Sequence, residues 1–324
     1  MSREERIMSL TSLEICSGAG GQALGLEMAG FAHSALVEIE PAACTTLRLN
    51  RPAWNVIEGD LHSFDGRPYK GIDLLAGGVP CPPFSRAGKQ LGSSDERDLF
   101  PQAIRLVDEC RPKAVMLENV RGLLDAVFDD YRNKVEKQLK KLGYVPGWHL
   151  LNASDYGVSQ LRPRVVFVGI RKDLVEHYSW PEPNRSAPPT VGELLHDLMK
   201  SKGWLGADQW RERANAIAPT LVGGSKKHGG PDLGPTRAKR AWAGLGVDGM
   251  GLWDDPPARG FVGMPRLTAR MTARIQGFPD TWNFAGKKTA AYRQIGNAFP
   301  PPVAAAVARK IFSALTSKRL IQVA

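Results

Sequence analysis

Ser12-Leu-Glu-Ile-Cys-Ser-Gly-Ala-Gly-Gly-Gln-Ala-Leu-Gly25 joins a short apolar run to a glycine-rich turn. The run is typical of a buried strand, and Gly18, Gly20 and Ala23 then follow the spacing G-x-G-x-x-G/A. Glycines allow a ligand to approach the backbone closely, and Glu38 supplies a carboxylate that can accept hydrogen bonds from ribose hydroxyls. The stretch therefore predicts a site for a nucleotide-like cofactor, either NAD or S-adenosylmethionine. A turn with no special role is the alternative.

Similar apolar runs recur through the first half of the chain and alternate with helical periodicity. They predict buried strands at Ala35–Ile39, Asp73–Ala76, Ala114–Leu117 and Val165–Val168. Pro41 suits a first helical position, and large side chains recur every four positions from Val127 until Gly143 stops the pattern. Strands that alternate with helices predict an α/β fold with a doubly wound, mostly parallel, Rossmann-like sheet.

The chain changes character after Arg171. Proline and glycine become frequent, and six of the eight tryptophans lie between Trp180 and Trp282. We therefore predict a second, smaller, loop-rich domain at residues 173–287, with its tryptophans in a compact core. Residues 1–172 and 288–324 are predicted to form the larger domain, which is discontinuous in sequence.

Charge is concentrated in the same part of the chain. The protein carries a formal charge of +10, and residues 162–245 contain 14 Lys or Arg against 8 Asp or Glu, a net +6. This distribution predicts a surface that faces phosphates, with an ordinary solvated face as the alternative. No stretch approaches the roughly 20 apolar residues that span a bilayer. The four cysteines are scattered and show neither a disulfide framework nor zinc spacing, which favours a reducing cytoplasm and no metal.

Cys81 lies in Gly77-Gly-Val-Pro-Cys-Pro-Pro-Phe-Ser85, directly after the predicted strand Asp73–Ala76. Flanking prolines stiffen this loop at the carboxyl end of a strand, where open α/β sheets bind their ligands. A cysteine there is either a nucleophile, which must act as the thiolate, or a small core residue.

Two further groups of polar residues accompany strands. Glu118 ends a predicted strand and is therefore expected at the same sheet edge as Cys81. Gln160, Arg162 and Arg164 alternate into another strand and share one face. The arginines are candidates for binding phosphate or a base carbonyl, or for holding the loop together.

Together and in this order, the motifs resemble the DNA cytosine-5 methyltransferase family, of the bacterial restriction-modification type. The resemblance covers nearly the whole chain except about 171–265. The motifs are Glu14-Ile-Cys-Ser-Gly-Ala-Gly-Gly21, Gly78-Val-Pro-Cys81 with Phe84-Ser85, Glu118-Asn-Val120, Gln160-x-Arg-x-Arg164, Arg266-Leu-Thr-Ala-Arg270 with Arg274-Ile-Gln-Gly-Phe-Pro-Asp280, and Gln294-Ile-Gly-Asn-Ala298 with Pro300.

The resemblance implies a covalent mechanism. The Cys81 thiolate would add to carbon 6 of a flipped-out cytosine while Glu118 holds or protonates ring nitrogen 3. Carbon 5 then accepts the methyl group of S-adenosylmethionine, a base removes the carbon 5 proton, and S-adenosylhomocysteine is the product. Arg164, supported by Arg162, would contact the cytosine carbonyl. Glu118 must carry a proton near neutral pH, so its pKa should be raised.

The resemblance also assigns binding residues. The implied cofactor residues are Cys16, Gly18, Gly20, Glu38, Ile39, Asp60, Leu61, Gly78, Pro80 and Asn297. Asp60 follows Val56-Ile-Glu-Gly59, at the end of the predicted third strand. From this position alone, Asp60 would either bind an adenine amino group or cap a helix. The implied or expected DNA contacts are Ser85, Gln160, Thr220, Leu221, Lys226, Lys227, Arg237, Lys239 and Arg240. Cys16 and Ile39 replace bulkier residues that are frequent in the family, so weaker cofactor binding is one expected consequence. Glu14 replaces the family's usual Asp.

The expected partners are double-stranded DNA and a cognate restriction endonuclease that acts on the same site. We expect a monomer in the bacterial cytoplasm, associated with the nucleoid and not with a membrane. A relative that methylates cytosine in tRNA and a catalytically silent DNA-binding relative are the alternatives. A dehydrogenase would use only the glycine loop and would leave Cys81 and Asn297 without a role.

Overall fold

Seven strands form one sheet in the computed structural model, which describes residues 9–80, 98–223 and 230–321, with side chains to 317. The strands are β1 Leu10–Ile15, β2 Phe31–Glu38, β3 Val56–Glu58, β4 Leu74–Gly77, β5 Ala114–Val120, β6 Tyr144–Asn152 and β7 Pro163–Arg171. Their order is β3-β2-β1-β4-β5-β7-β6; β7 pairs antiparallel with β5 and with β6, and the other adjacent strands pair parallel. The predicted mostly parallel sheet is confirmed.

Ten α-helices occur in the described ranges. They are α1 Gly21–Met28, α2 Pro41–Asn50, α3 Phe100–Cys110, α4 Asp129–Lys141, α5 Val191–Lys200, α6 Ala207–Arg213, α7 Thr236–Gly244, α8 Ala269–Ile275, α9 Lys288–Asn297 and α10 Pro301–Ile321. Pro41 opens α2, as its fixed φ angle favours. Gly143, with a φ angle of +93°, follows α4. No helix in these ranges is long and apolar enough to cross a membrane.

Apolar side chains cover both faces of the sheet. On one face, Leu26 of α1 and Val307 of α10 pack with strand residues such as Met116. On the other, Leu106 of α3 and Leu139 of α4 pack in a second cluster. This double coverage explains why the strand sequences are continuously apolar rather than alternating.

β6 is the strand that the sequence analysis did not predict. Pro146 and Gly147 interrupt its apolar residues, and both residue types are rare inside strands. β6 lies at the edge of the sheet, where a missing backbone donor can be tolerated. β6 pairs with β7 along its whole length, from Tyr144 to Asn152, and this pairing stabilises an extended conformation that the local sequence does not favour.

A separate core lies in the tryptophan-rich region. Trp204, Trp210 and Trp242 are buried there, so these rings form a core as expected. Met271 of α8 and Tyr292 of α9 belong to the same cluster. The described packing thus links this region closely to the last part of the chain, and the proposed boundaries of the small domain stay a prediction.

Candidate active site

A cavity of about 250 Å³ lies at the carboxyl edge of the sheet. It borders the crevice between β1 and β4, from which the chain winds outward in two directions. Open α/β sheets bind ligands at this switch point because the two connections diverge there and leave room. The lining includes Cys16 after β1, Glu38 of β2, Gly78 after β4, Glu118 of β5 and Asn297 of α9.

The glycine loop and the end of β2 form one side of the cavity. The backbone N–H of Gly18 donates to Oε2 of Glu38 at 2.7 Å, and that of Glu40 donates to Oε1 at 2.8 Å. Burial raises the pKa of Glu38, although these amide donors oppose the effect. Two fixed donors hold the carboxylate in place, while each oxygen keeps capacity to accept a further hydrogen bond.

The two family glycines have different environments. Gly18 has a φ angle of +53°, and a Cβ there would meet no atom of the described residues within 4 Å. A Cβ on Gly20 would lie 2.7 Å from Leu47 and 2.9 Å from Trp282. Gly18 lines the cavity, whereas the requirement for glycine at 20 comes from packing and from a φ angle of +84°.

Several other predicted cofactor residues do not line this cavity. Asp60 is exposed and accepts a hydrogen bond from the backbone N–H of His62 at 2.9 Å, and this bond lowers the Asp60 pKa. Asp60 lines a second cavity of about 370 Å³ beyond β2. Ile39 is 59% exposed, and Leu61 is buried in the sheet core. Gly20, Ile39, Leu61 and Pro80 are not among the described residues that line the first cavity.

Glu14 lines the cavity but was identified in the sequence only as a departure from the family pattern. It is fully buried, and within the described ranges neither carboxyl oxygen has a hydrogen-bond partner. Burial raises the Glu14 pKa well above its ordinary value, the nearby backbone N–H of Ala23 acts against this increase, and the charge of Glu38 adds to it. An acidic residue inside an apolar strand run was the available clue, and an unpaired carboxyl on a cavity wall fits a cationic ligand group.

Glu118 and Arg164 form an ion pair across β5 and β7. Arg164 Nε lies 2.7 Å from Glu118 Oε1, and both side chains are largely buried. Burial raises the Glu118 pKa, while Arg164 and then Arg162 act against the increase. The arrangement places a carboxyl of raised proton affinity on the cavity wall and a fixed cation beside it.

Cys81 and Ser85 lie outside the described residues, as do Lys226 and Lys227. The chain is described as far as Pro80, and the amide of Asn119 donates to the buried carbonyl of Val79 at 2.8 Å. Asn119 lies next to Glu118 and was not singled out from the sequence. Its contact fixes the backbone two positions before Cys81.

Arg162 and Gln160 occupy places other than those expected. The fully buried Arg162 donates to the carbonyls of Leu221 at 2.8 Å and Gly296 at 2.6 Å, and burial lowers its pKa to about 9. Gln160 is also fully buried and donates to Gln276 at 2.7 Å. These side chains enter a polar network between distant segments, and the expected catalytic contact of Arg162 and DNA contact of Gln160 stay predictions.

The remaining predicted DNA contacts divide by exposure. Leu221 is buried, and the Thr220 hydroxyl donates to the Leu161 carbonyl. On α7, Arg237 and Arg240 are exposed, whereas Lys239 pairs with Asp232 at 2.9 Å. Arg237 and Arg240 are thus two exposed cations on one short helix that suit a phosphate ligand.

Comparisons with known proteins agree with this geometry. The family model for C-5 cytosine-specific DNA methylase matches residues 10–242 and 259–313. The chain is similar to Type II methyltransferase M.NgoMIV of Neisseria gonorrhoeae, with 63% identity over 95% of this chain and 99% of the relative. It is also similar to Type II methyltransferase M.NaeI of Lentzea aerocolonigenes, with 57% identity over 95% of this chain and 76% of that protein.

A solved structure shows the same fold. DNMT2 of Spodoptera frugiperda, crystallised as a triple mutant, superposes with a TM-score of 0.66 at 18% identity. The match covers 94% of this chain and 100% of that one.

Proposed function

We propose that this protein methylates a flipped-out cytosine through a covalent bond to Cys81. The chain belongs to the C-5 cytosine-specific DNA methylase family and is a DNA cytosine-5 methyltransferase. The observation that carries the proposal is the position of Glu118. This buried carboxyl, paired with Arg164, lines the same cavity as Glu38 and Asn297. A proton donor for the base and a cofactor site therefore share one space.

S-adenosylmethionine fits the residues of this cavity. Its ribose hydroxyls match the oriented Glu38 carboxylate, and its ammonium group matches the unpaired Glu14 carboxyl. Gly18 leaves space for close approach, and Asn297 supplies a polar side chain from the opposite wall. When bound, this cofactor supplies an electrophilic methyl group on sulfur.

Glu118 and Arg164 prepare the cytosine for reaction. Carbon 5 is a poor nucleophile until the Cys81 thiolate adds to carbon 6, and protonation at nitrogen 3 takes up the electron density of that addition. The raised pKa of Glu118 favours the protonated form that this step requires. Arg164 holds the carboxyl in one orientation by their 2.7 Å contact. Once carbon 5 has taken the methyl group, a base removes the carbon 5 proton, the Cys81 thiolate leaves carbon 6, and nitrogen 3 returns its proton to Glu118. The base then passes its proton to solvent, which restores the free enzyme.

Double-stranded DNA is the proposed substrate because the base must leave its stack to reach a buried carboxyl. Residues 173–287 are proposed as the target-recognition domain. Arg237 and Arg240 are exposed on α7 and suit phosphate contacts, and Lys226 and Lys227 lie just upstream in sequence. We propose that the side chains of this region set the recognised sequence.

The relatives named as Type II methyltransferases support a role in restriction and modification. We propose that the protein is the modification enzyme of such a system and protects sites cut by a cognate endonuclease. One chain carries both the cofactor cavity and the proposed recognition region, so we propose a monomer that acts on DNA in the cytoplasm, at the nucleoid.

Base-resolution bisulfite sequencing tests this function. DNA and tRNA from a host without cytosine methylation would be analysed after expression of the wild type or of Cys81→Ala. Methylcytosine at one recurrent DNA sequence, in the wild type alone, is the expected result. Methylation confined to tRNA would move the activity to that substrate. Methylation of neither would indicate a silent binding protein.

A further inference from the structure

α9 contacts both functional parts of the molecule. Arg293 and Asn297 line the cofactor cavity. Tyr292, on the same helix, is buried in the core of the tryptophan-rich region. One helix therefore forms a wall of the cofactor cavity and part of the packing of the proposed recognition domain. A shift of α9 would therefore change both the cavity wall and the packing of the tryptophan-rich region.

Two glycines bring these parts into backbone contact. A Cβ on Gly296 would lie 2.4 Å from the backbone nitrogen of Gly223. A Cβ on Gly223 would lie 2.5 Å from Oδ1 of Asn297 and 2.7 Å from the carbonyl oxygen of Arg293. Neither glycine has a positive φ angle, so their backbone conformations are open to other residues. The close approach itself is what requires glycine at these positions.

Arg162 stabilises this contact through hydrogen bonds to both segments. Its guanidinium donates to the Leu221 carbonyl at 2.8 Å and to the Gly296 carbonyl at 2.6 Å. A third hydrogen bond, to the Ala298 carbonyl at 3.2 Å, means that Arg162 binds the residues on both sides of Asn297. A buried cation needs its hydrogen bonds to remain satisfied, so the two segments are held together and cannot separate without cost.

We propose that Gly223 is a positioning residue for cofactor binding, and that its contact with Gly296 and Asn297 couples the cofactor site to DNA recognition. The coupling rests on the proposed function, since it assigns the segment Leu221–Gly223 to the recognition domain. Each ligand needs the same packed arrangement, so the first to bind stabilises it for the second. By linkage, DNA and cofactor then raise each other's affinity by the same factor.

Calorimetric titration with S-adenosylhomocysteine tests the inference. Gly223→Ala is expected to weaken binding about tenfold, the change that ~1.4 kcal/mol of strain produces. Gly230→Ala is the matched control, because a Cβ there would meet no atom of the described residues within 4 Å. A duplex carrying the recognised sequence should tighten binding to the wild type and to the control, and less so to Gly223→Ala. In turnover, KM for S-adenosylmethionine should rise while kcat changes little.

The outcomes separate cleanly. A Gly223→Ala protein that melts like the wild type and binds S-adenosylhomocysteine equally well would overturn the inference. If that variant does not fold, the wild type decides alone, since equal affinity with and without the duplex would also overturn the coupling. A wild type that binds no S-adenosylhomocysteine would overturn the proposed function, and the inference with it.

Discussion

Arg164 and Glu118 meet at 2.7 Å across the antiparallel pair of β7 and β5. The two residues are 46 positions apart in the sequence, and Glu118 lines the wall of the cofactor cavity. Burial favours the neutral form of Glu118, while the arginine favours the charged form. The balance of these effects sets whether Glu118 can donate a proton at a given pH.

Glu118→Gln should lower kcat by about 10²–10⁴-fold, the usual contribution of general acid–base catalysis. Glutamine keeps a hydrogen-bond donor but cannot release a proton. Binding of S-adenosylhomocysteine and of DNA, measured by calorimetry and fluorescence anisotropy, should be retained. Glu58→Gln, at an exposed ion pair, serves as the control. A Glu118→Gln enzyme of normal kcat would exclude proton donation by this carboxyl.

Arg164→Met should raise the Glu118 pKa further, because the cation favours the ionised form. The neutral form is fully present below the raised pKa and is lost as the pH rises through it, so that loss should move to higher pH. Infrared difference spectroscopy of the protonated carboxyl, with Glu118→Gln as a blank, measures the shift. Arg48→Met, which breaks an exposed pair with Glu58, should leave the band unaffected. Loss of the band at the wild-type pH would contradict the electrostatic role of Arg164.

Asn119→Asp should lower kcat by about tenfold or more, because a buried acceptor left unpaired costs ~1–3 kcal/mol. The aspartate keeps the acceptor for the Val120 N–H but removes the donor to the Val79 carbonyl. Asn119→Ala removes both bonds and should be at least as impaired. Steady-state kinetics together with cofactor titration would locate the defect in kcat rather than in binding. An Asp variant as active as the wild type would show that the Val79 contact does not matter.

Glu14→Gln should weaken binding of S-adenosylhomocysteine and stabilise the free protein to heat. Its raised pKa favours the protonated form of Glu14 in the free protein, and a bound ammonium group would favour ionisation. The wild type should therefore release more protons on binding than the variant. Calorimetry in two buffers of different ionisation enthalpy counts these protons. Equal proton release by the two proteins would show that Glu14 does not ionise in response to the charge of the ligand.

Lys226→Ala with Lys227→Ala should weaken DNA binding and flatten its salt dependence. Each lost phosphate contact reduces the slope of log K against log salt by about 0.9. Fluorescence anisotropy over a salt series measures the slope. Lys140→Ala with Lys141→Ala, at the end of α4, removes the same charge elsewhere on the molecule. A slope equal to that of the wild type would remove Lys226 and Lys227 from the contact surface.

Local sequence predicted the sheet and the placement of Gly18 and Glu38 at one edge of it. Gly18 follows β1 and Glu38 ends the adjacent parallel strand β2, so that their 2.7 Å hydrogen bond is consistent with this placement. Glu118 was likewise expected at the carboxyl edge because it ends an apolar run. β6 was not predicted, since its tolerance for Pro146 depends on an edge position that local sequence does not specify.

The sequence by itself determined the family, the fold class and the chemistry of the residues that end the central strands. Those features depend on spacing within short segments and on the fixed geometry of parallel strands. Only the tertiary structure decided the burial of Arg162, the unpaired state of Glu14 and the contact of Gly223 with Gly296. Arg162 and its acceptor Gly296 are 134 positions apart. Burial and hydrogen bonding between such distant segments arise only when the chain packs, so no local pattern records them.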